Sequence, residues 1–197
     1  MVIASHFTFA TYGFWPPNDD RGSWSDAVYA TNLQYFGEAK TVSTRRSIAH
    51  VPHDQAKNVA IRRALKYPPV TLNAAQRDAA IAGIAEIVAS LDLCVYACAV
   101  MPDHVHVVAA RHRELVETLT GFLKRAATRE MTRRGIHPLA GFSDYRGRVP
   151  SAWVVGGWKR FVSDARDIAP AVAYVERNPA RAGLPPQRHT FVRPTPV

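Results

Sequence analysis

The stretch Leu93–Ala110 reads LCVYACAVMPDHVHVVAA, and its interpretation sets the fold. Leu93 to Met101 is apolar at odd and even positions alike, the pattern of a strand covered on both faces. Pro102-Asp103 then supplies turn residues. A second run, rich in valine, resumes from His104 to Ala110, so the segment predicts an antiparallel hairpin. The apolar run is nine residues long, well short of the roughly 20 that a membrane-spanning helix needs.

Upstream of the hairpin, Asn73 is a good helix cap, and Ile81, Ile84, Ala85, Val88 and Leu91 follow at helical spacing. A shorter helix is predicted from Gln55 to Lys66, closed by Pro68-Pro69. Ile3 to Tyr12 alternates and is rich in β-branched and aromatic residues, which marks a first strand. Between Gly13 and about Asp54 the periodicity dissolves into Pro16-Pro17-Asn18-Asp19-Asp20 and Arg21-Gly22-Ser23, a long excursion of turn chemistry without a core face.

Downstream, Leu115, Leu119, Phe122 and Ala126 form the apolar stripe of a helix that Gly135 ends. A short strand, Trp158 to Val162, precedes a last helix from about Asp167, with Pro170 in its first turn, to Asn178, stopped by Pro179. The order strand, helix, hairpin, helix, strand, helix predicts an α+β fold, with helices packed on one face of an antiparallel sheet. We expect one domain over residues 1–184, carrying the excursion at about 13–54, and an irregular tail over 185–197.

The 197 residues, 47% hydrophobic and 21% charged, have a globular composition, which excludes a disordered or low-complexity chain. The net charge is +9 and unevenly spread: nine Lys/Arg balance nine Asp/Glu up to residue 110, while sixteen face seven beyond it. Such an asymmetry points to a polyanion, nucleic acid being the commonest, against the alternative of a generally basic surface. The two cysteines, Cys94 and Cys98, are too few for a disulfide framework or a four-thiolate zinc site, and strand alternation predicts that both face the same way. No basic stretch followed by an apolar run opens the chain, so the expected location is cytoplasmic, and a nucleic-acid partner would associate it with the nucleoid.

His104 and His106 flank Val105 on a predicted strand, so their imidazoles project from one face about 6.5–7 Å apart at the backbone. That spacing suits two ligands of one metal ion, while Val105 anchors the strand on the other side. His-x-His alone fits two hydrogen-bonded or surface histidines equally well. On the last helix Ile168, Val172 and Val175 share one side, and Tyr174 and Asn178 lie together on a flank, one turn apart. An amide oxygen from Asn178 beside a phenol from Tyr174 would complement the histidines. Taken singly, Tyr174 also reads as a packing residue and Asn178 as a helix C-terminal one.

Three pieces of the chain resemble the single-tyrosine HUH-endonuclease transposases, and within them the REP-associated tyrosine transposases. Met101-Pro102-Asp103-His104-Val105-His106-Val107-Val108 is similar to the family's metal-binding strand and preceding turn. Tyr174-Val175-Glu176-Arg177-Asn178-Pro179-Ala180-Arg181-Ala182-Gly183-Leu184 resembles the helix end that bears its nucleophilic tyrosine. His6-Phe7-Thr8-Phe9 is more weakly similar to its first strand.

The resemblance implies a ferredoxin-like, RNA-recognition-type sheet and Mg²⁺ or Mn²⁺ held by His104, His106 and, by position, Asn178. It implies Tyr174 as the catalytic nucleophile of a DNA endonuclease and strand transferase. The enzyme would form a covalent 5′-phosphotyrosine on single-stranded or hairpin DNA, as a monomer or a homodimer, with no membrane involved. The expected phosphate contacts are Lys124, Arg125, Arg129, Arg133 and Arg134 on the basic helix, with Arg181 nearer the site. Trp15, Trp24, Tyr29, Tyr35 and Phe36 offer rings for base stacking or for packing. Two other readings stand beside this one: a domesticated hairpin-DNA-binding protein with little cleavage, and an RNA-binding module of the same topology. No phosphate-binding Gly-x-x-x-x-Gly-Lys-[Ser/Thr] loop occurs, in keeping with strand transfer that needs no ATP.

Overall fold

The computed structural model describes residues 1–23, 25–42 and 51–195. Its centre is a four-stranded antiparallel sheet of β1 (Ala4–Ala10), β2 (Val95–Val100), β3 (His104–Ala110) and β4 (Trp158–Val162), in the order β2-β3-β1-β4. The hairpin forms as the sequence predicts, closed at its turn by Met101 N–H donating to the His104 carbonyl at 2.8 Å. Three helices cover the sheet, α3 (Ala74–Ser90), α4 (Val116–Arg133) and α5 (Ile168–Arg181), while the short turn α1 (Thr31–Gln34) and α2 (Gln55–Arg63) belong to the segment between β1 and α3.

Strand alternation divides the sheet chemically. Phe7, Phe9, Val105 and Val107 point to one face and bury themselves against Ile84 and Val88 of α3 and Leu119, Leu123 and Met131 of α4. Each such side chain contributes about 1.5–3 kcal/mol by leaving water. The intervening residues, His6, Thr8, His104 and His106, necessarily point to the other face. A slip of one residue in β1 or β3 would drive the phenylalanines and valines out of the core, so packing on one side fixes the position of the polar groups on the other.

The α+β reading holds, and α3 and α4 do share one face of the sheet. The last helix departs from the one-face expectation: Ala171 and Val175 of α5 pack against Ala97, Ala99, Met101 and Val108 on the opposite face. The reason is in β2 and β3 themselves, whose alanines and valines are apolar on both sides and need a cover on each.

Asn73 caps α3 through a capping box, its carboxamide oxygen accepting from Gln76 N at 2.9 Å while Gln76 Oε1 accepts from Asn73 N at 3.0 Å. Further along α3, Gly83 lets α4 approach closely: a Cβ there would stand 2.4 Å from the Ala126 carbonyl oxygen.

Pro179 does not stop α5, which runs on to Arg181. A proline in the last turn removes only one amide. The end is closed by Ala182 N donating to Asn178 O at 3.2 Å and Leu184 N to Pro179 O at 2.8 Å. Cys94 and Cys98 do not face the same way either. A register shift between Val95 and Ala97 puts an extra residue in β2, so Cys98 joins the α3–α4 core while Cys94 lies beside Tyr96, which packs toward α5.

The excursion has a small core of its own: Val28 and Leu33 bury against Ile61 of α2. Asp19, fully buried, is held by Arg21 and by the Asn58 amide of α2 at 2.9 Å. The tail lies along the free edge of β2. There the Gln187 side chain accepts from Val100 N at 2.8 Å and donates to Val100 O at 2.9 Å, and Arg193 N donates to Val95 O at 2.7 Å. Among the described residues no helix is long and apolar enough to cross a membrane.

Candidate active site

The polar side chains on the α5 face of the sheet meet at β3. His104 and His106 bring their Nε2 atoms to 3.0 Å, with ring planes at 88°. Val105 between them is fully buried in the opposite core, which holds this stretch of strand in place.

Each ring is fixed through its other nitrogen. His104 Nδ1 lies 2.6 Å from Asp103 Oδ1, and Phe14 stacks on the ring at 5.5 Å between centroids and 21° between planes. A carboxylate only accepts, so in the neutral His104 ring the proton sits on Nδ1 and Nε2 presents a lone pair. Asp103 is itself anchored, its carbonyl accepting from Thr11 N at 2.8 Å and Thr11 Oγ1 at 3.0 Å. His106 Nδ1 lies 2.7 Å from Thr8 Oγ1 and 3.2 Å from His6 Nε2.

Burial decides the charge of this cluster. It pushes His106 well below the usual imidazole range, helped by the neighbouring His104 and His6 rings. It pushes His6 down to about 4, with the Arg160 guanidinium adding to the effect. Both rings are therefore neutral at pH 7, the form in which an imidazole donates to a metal.

Tyr174, half-buried on α5, stands edge-on to His106 with centroids 5.5 Å apart and lies 5.8 Å from the His6 ring. The guanidinium carbon of Arg181, one helical stretch later, is 5.8 Å from the Tyr174 ring centre. Trp158 of β4 meets His6 edge to face at 4.8 Å. Asn178 directs its amide nitrogen back to the Tyr174 carbonyl at 2.8 Å, a bond that ties its side chain to the helix turn below it.

His104 Nε2 and His106 Nε2 could hold a divalent cation between them. Two ligands bound about 2.1 Å from an octahedral ion at right angles to one another are about 3.0 Å apart, the separation found between the two Nε2 atoms. The Asp103–His104 pair reproduces the carboxylate–histidine arrangement that orients metal-binding imidazoles. Imidazole donors suit Mn²⁺ better than the all-oxygen shell that Mg²⁺ favours. Among the described residues no group of three or more His, Cys, Asp and Glu side chains is arranged to hold a metal ion, so a third protein ligand would have to be of another type.

The basic side chains of α4 do not converge with the histidines, since α4 covers the opposite face of the sheet. Lys124 is half-buried and donates to the Val154 carbonyl at 2.8 Å and to that of Gly156; burial pushes its ammonium down to about 8. Arg125 lies over the Phe122 ring, Arg129 pairs with Glu86 at 2.9 Å, and Arg133 and Arg134 both hold Glu130 at 2.7 Å. Arg181 alone of the six cations lies beside Tyr174.

Of the rings in the excursion, Trp15 donates to the Gly22 carbonyl at 2.8 Å beneath Arg21, and Phe36 packs on the small core. Tyr29 and Tyr35 are exposed, and Trp24 lies outside the described residues. Sequence reasoning missed His6, Thr8 and Trp158 as members of the site. The i, i+2 spacing of His6 and Thr8 places them on one face of a strand, but only the pairing of β1 with β3, which sets Thr8 opposite His106, shows what they face.

Fold and site together define an α+β chain that presents a histidine pair and a helix-borne tyrosine on one face of an antiparallel sheet. No protein-family model matches the chain, and no curated protein does. Two solved structures are similar in architecture. One is of the REP-associated tyrosine transposase bound to a REP hairpin, at 13% identity and a TM-score of 0.47, covering 91% of this chain and 68% of that one. The other is of a candidate transposase from Deinococcus radiodurans R1, at 17% identity and a TM-score of 0.41, covering 90% of this chain and 91% of that one.

Proposed function

We propose that the chain is a metal-dependent DNA nicking and strand-transfer enzyme of the HUH tyrosine transposase kind. The observation that supports this reading is the meeting of two Nε2 atoms, 3.0 Å apart, with a tyrosine ring 5.5 Å from one of their imidazoles. The sequence resemblance at Met101–Val108 and Tyr174–Leu184 supports it from a second direction.

Mg²⁺ or Mn²⁺, held by His104, His106 and Asn178, would neutralise charge on a non-bridging phosphate oxygen and so favour attack at phosphorus. Tyr174 is the nucleophile. Its phenolic oxygen forms a bond to phosphorus as the bond from phosphorus to the 3′ oxygen breaks; the phenol loses its proton and the departing 3′ oxygen gains one. The product is a 5′-phosphotyrosine and a free 3′-hydroxyl, a covalent intermediate that conserves the phosphoester for rejoining. Asp103 and Phe14 hold His104, and α5 holds Tyr174 at a fixed depth over the sheet. Arg181 offers a cationic contact for the strand beside the tyrosine, and a hairpin in single-stranded DNA is the substrate that the resemblance favours.

The test is incubation of the protein with labelled, hairpin-bearing single strands and Mn²⁺. A covalent protein–DNA adduct that Tyr174→Phe abolishes is expected. Tight binding with no adduct from the wild-type chain would replace this reading with that of a hairpin-DNA-binding protein.

A further inference from the structure

We propose that Thr8 is a positioning residue for His106: its hydroxyl holds Nδ1 of that ring in either tautomer and so keeps Nε2 aimed at His104. The inference rests on the metal-dependent reading above, and it concerns a residue of β1 that lies 98 positions from His106 in the chain.

The two histidines face different partners. His104 has a carboxylate on Nδ1, which in the neutral ring fixes one tautomer and leaves Nε2 bare. His106 has no such constraint. Without a cation, its Nε2 lies 3.0 Å from the bare Nε2 of His104, so it must carry the proton and donate it. Its Nδ1 is then an acceptor, and the group facing it must donate. With a cation on both Nε2 atoms, the His106 proton must sit on Nδ1, and the facing group must accept. The ring keeps its net charge: Nε2 releases one proton to solvent and Nδ1 takes one up.

A carboxylate could serve only the second state and a backbone amide only the first. A hydroxyl serves both by turning about its C–O bond. Thr8 Oγ1 stands 2.7 Å from Nδ1, the shorter of the two contacts that atom makes, with His6 Nε2 at 3.2 Å. The hydroxyl is also held from below, since Thr8 is paired directly with His106 in β3 and with Trp158 in β4, and a β-branched side chain is stiff at χ1. The site can therefore gain or lose its cation without moving the ring.

The test uses the full chain with Thr8→Val, which keeps the shape and removes the hydroxyl, and Thr8→Ser, which restores it. In the metal-free protein, ¹⁵N imidazole NMR should show the His106 Nδ1 resonance displaced in Thr8→Val and near wild type in Thr8→Ser. An undisturbed His106 in Thr8→Val would overturn the proposal. On titration with Mg²⁺ the wild-type proton should move from Nε2 to Nδ1, and Mn²⁺ affinity should fall about 10–100-fold in Thr8→Val, the usual effect of losing such an outer partner, and recover in Thr8→Ser. Unchanged Mn²⁺ affinity in Thr8→Val would also overturn it. Should the wild type take up neither ion while the metal-free spectra respond as expected, the metal reading fails and the hold of Thr8 on the ring stands.

Discussion

Asp103 Oδ1 and His104 Nδ1 are 2.6 Å apart, although the two residues are neighbours in the chain and Asp103 belongs to the turn rather than to the strand. The turn thus does two jobs: it closes the hairpin and it sets the proton of the first imidazole. Asp103→Ala should lower Mn²⁺ affinity about 10–100-fold while leaving the fold intact, since the Asp103 carbonyl that Thr11 holds is retained. Calorimetric titration of the metal-free protein reads this directly.

Tyr174→Phe removes one oxygen and keeps the ring that stands against His6 and His106. The covalent adduct should vanish, with a stability change within about 0.5 kcal/mol, because the ring that packs against the sheet is retained. Gel assay of the adduct and the thermal midpoint of the variant test the two halves separately.

His6 gives the metal-free protein a pH-dependent stability. Its folded pKa, about 4, lies below the unfolded value near 6.5, so the unfolded chain binds more protons between these limits. The stability contributed by the neutral ring is complete above pH 6.5 and is lost as pH falls toward 4, up to ~3 kcal/mol for a group this buried. Denaturant midpoints measured from pH 7 to pH 4 should fall, and His6→Gln should reduce the slope, the remainder coming from His106.

Lys124 and Arg181 should separate a packing cation from a binding one. Lys124→Ala leaves the Val154 and Gly156 carbonyls without their donor and should cost about 1–3 kcal/mol in stability, with the salt dependence of DNA binding unchanged. Arg181→Ala should leave stability nearly unaltered and reduce the slope of log affinity against log salt by about one. Salt titrations of hairpin binding distinguish them.

Gly83→Ala should destabilise the protein by about 1–3 kcal/mol, because the added methyl meets the Ala126 carbonyl and α3 must lift from α4. Equilibrium urea unfolding measures the loss.

Much of this was legible in the sequence where the cause is local. The apolar runs around Pro102-Asp103 give the hairpin, and Asn73 and Gln76 give the start of α3. His104 and His106 share a face because alternate residues in any strand do. What depends on distant pairing was not legible. Thr8 and His106 are 98 residues apart, and nothing in His6-Phe7-Thr8-Phe9 says which strand lies alongside. The bulge that parts Cys94 from Cys98 likewise follows from β2–β3 register. Pro179 misled because proline is judged by its missing amide, and in a last turn that loss is small. The cations of α4 were countable, but their engagement with Glu86, Glu130 and two loop carbonyls appears only in three dimensions.

The Gln187 side chain, seated on the backbone of Val100, bears on how the protein keeps itself from clumping. A short stretch of Val and Ala with open hydrogen-bonding groups is a ready template for another chain's strand. A form cut after Pro185 would bare that row of amides and carbonyls, and self-association, rather than loss of the histidine cluster, is the first defect such a form should show.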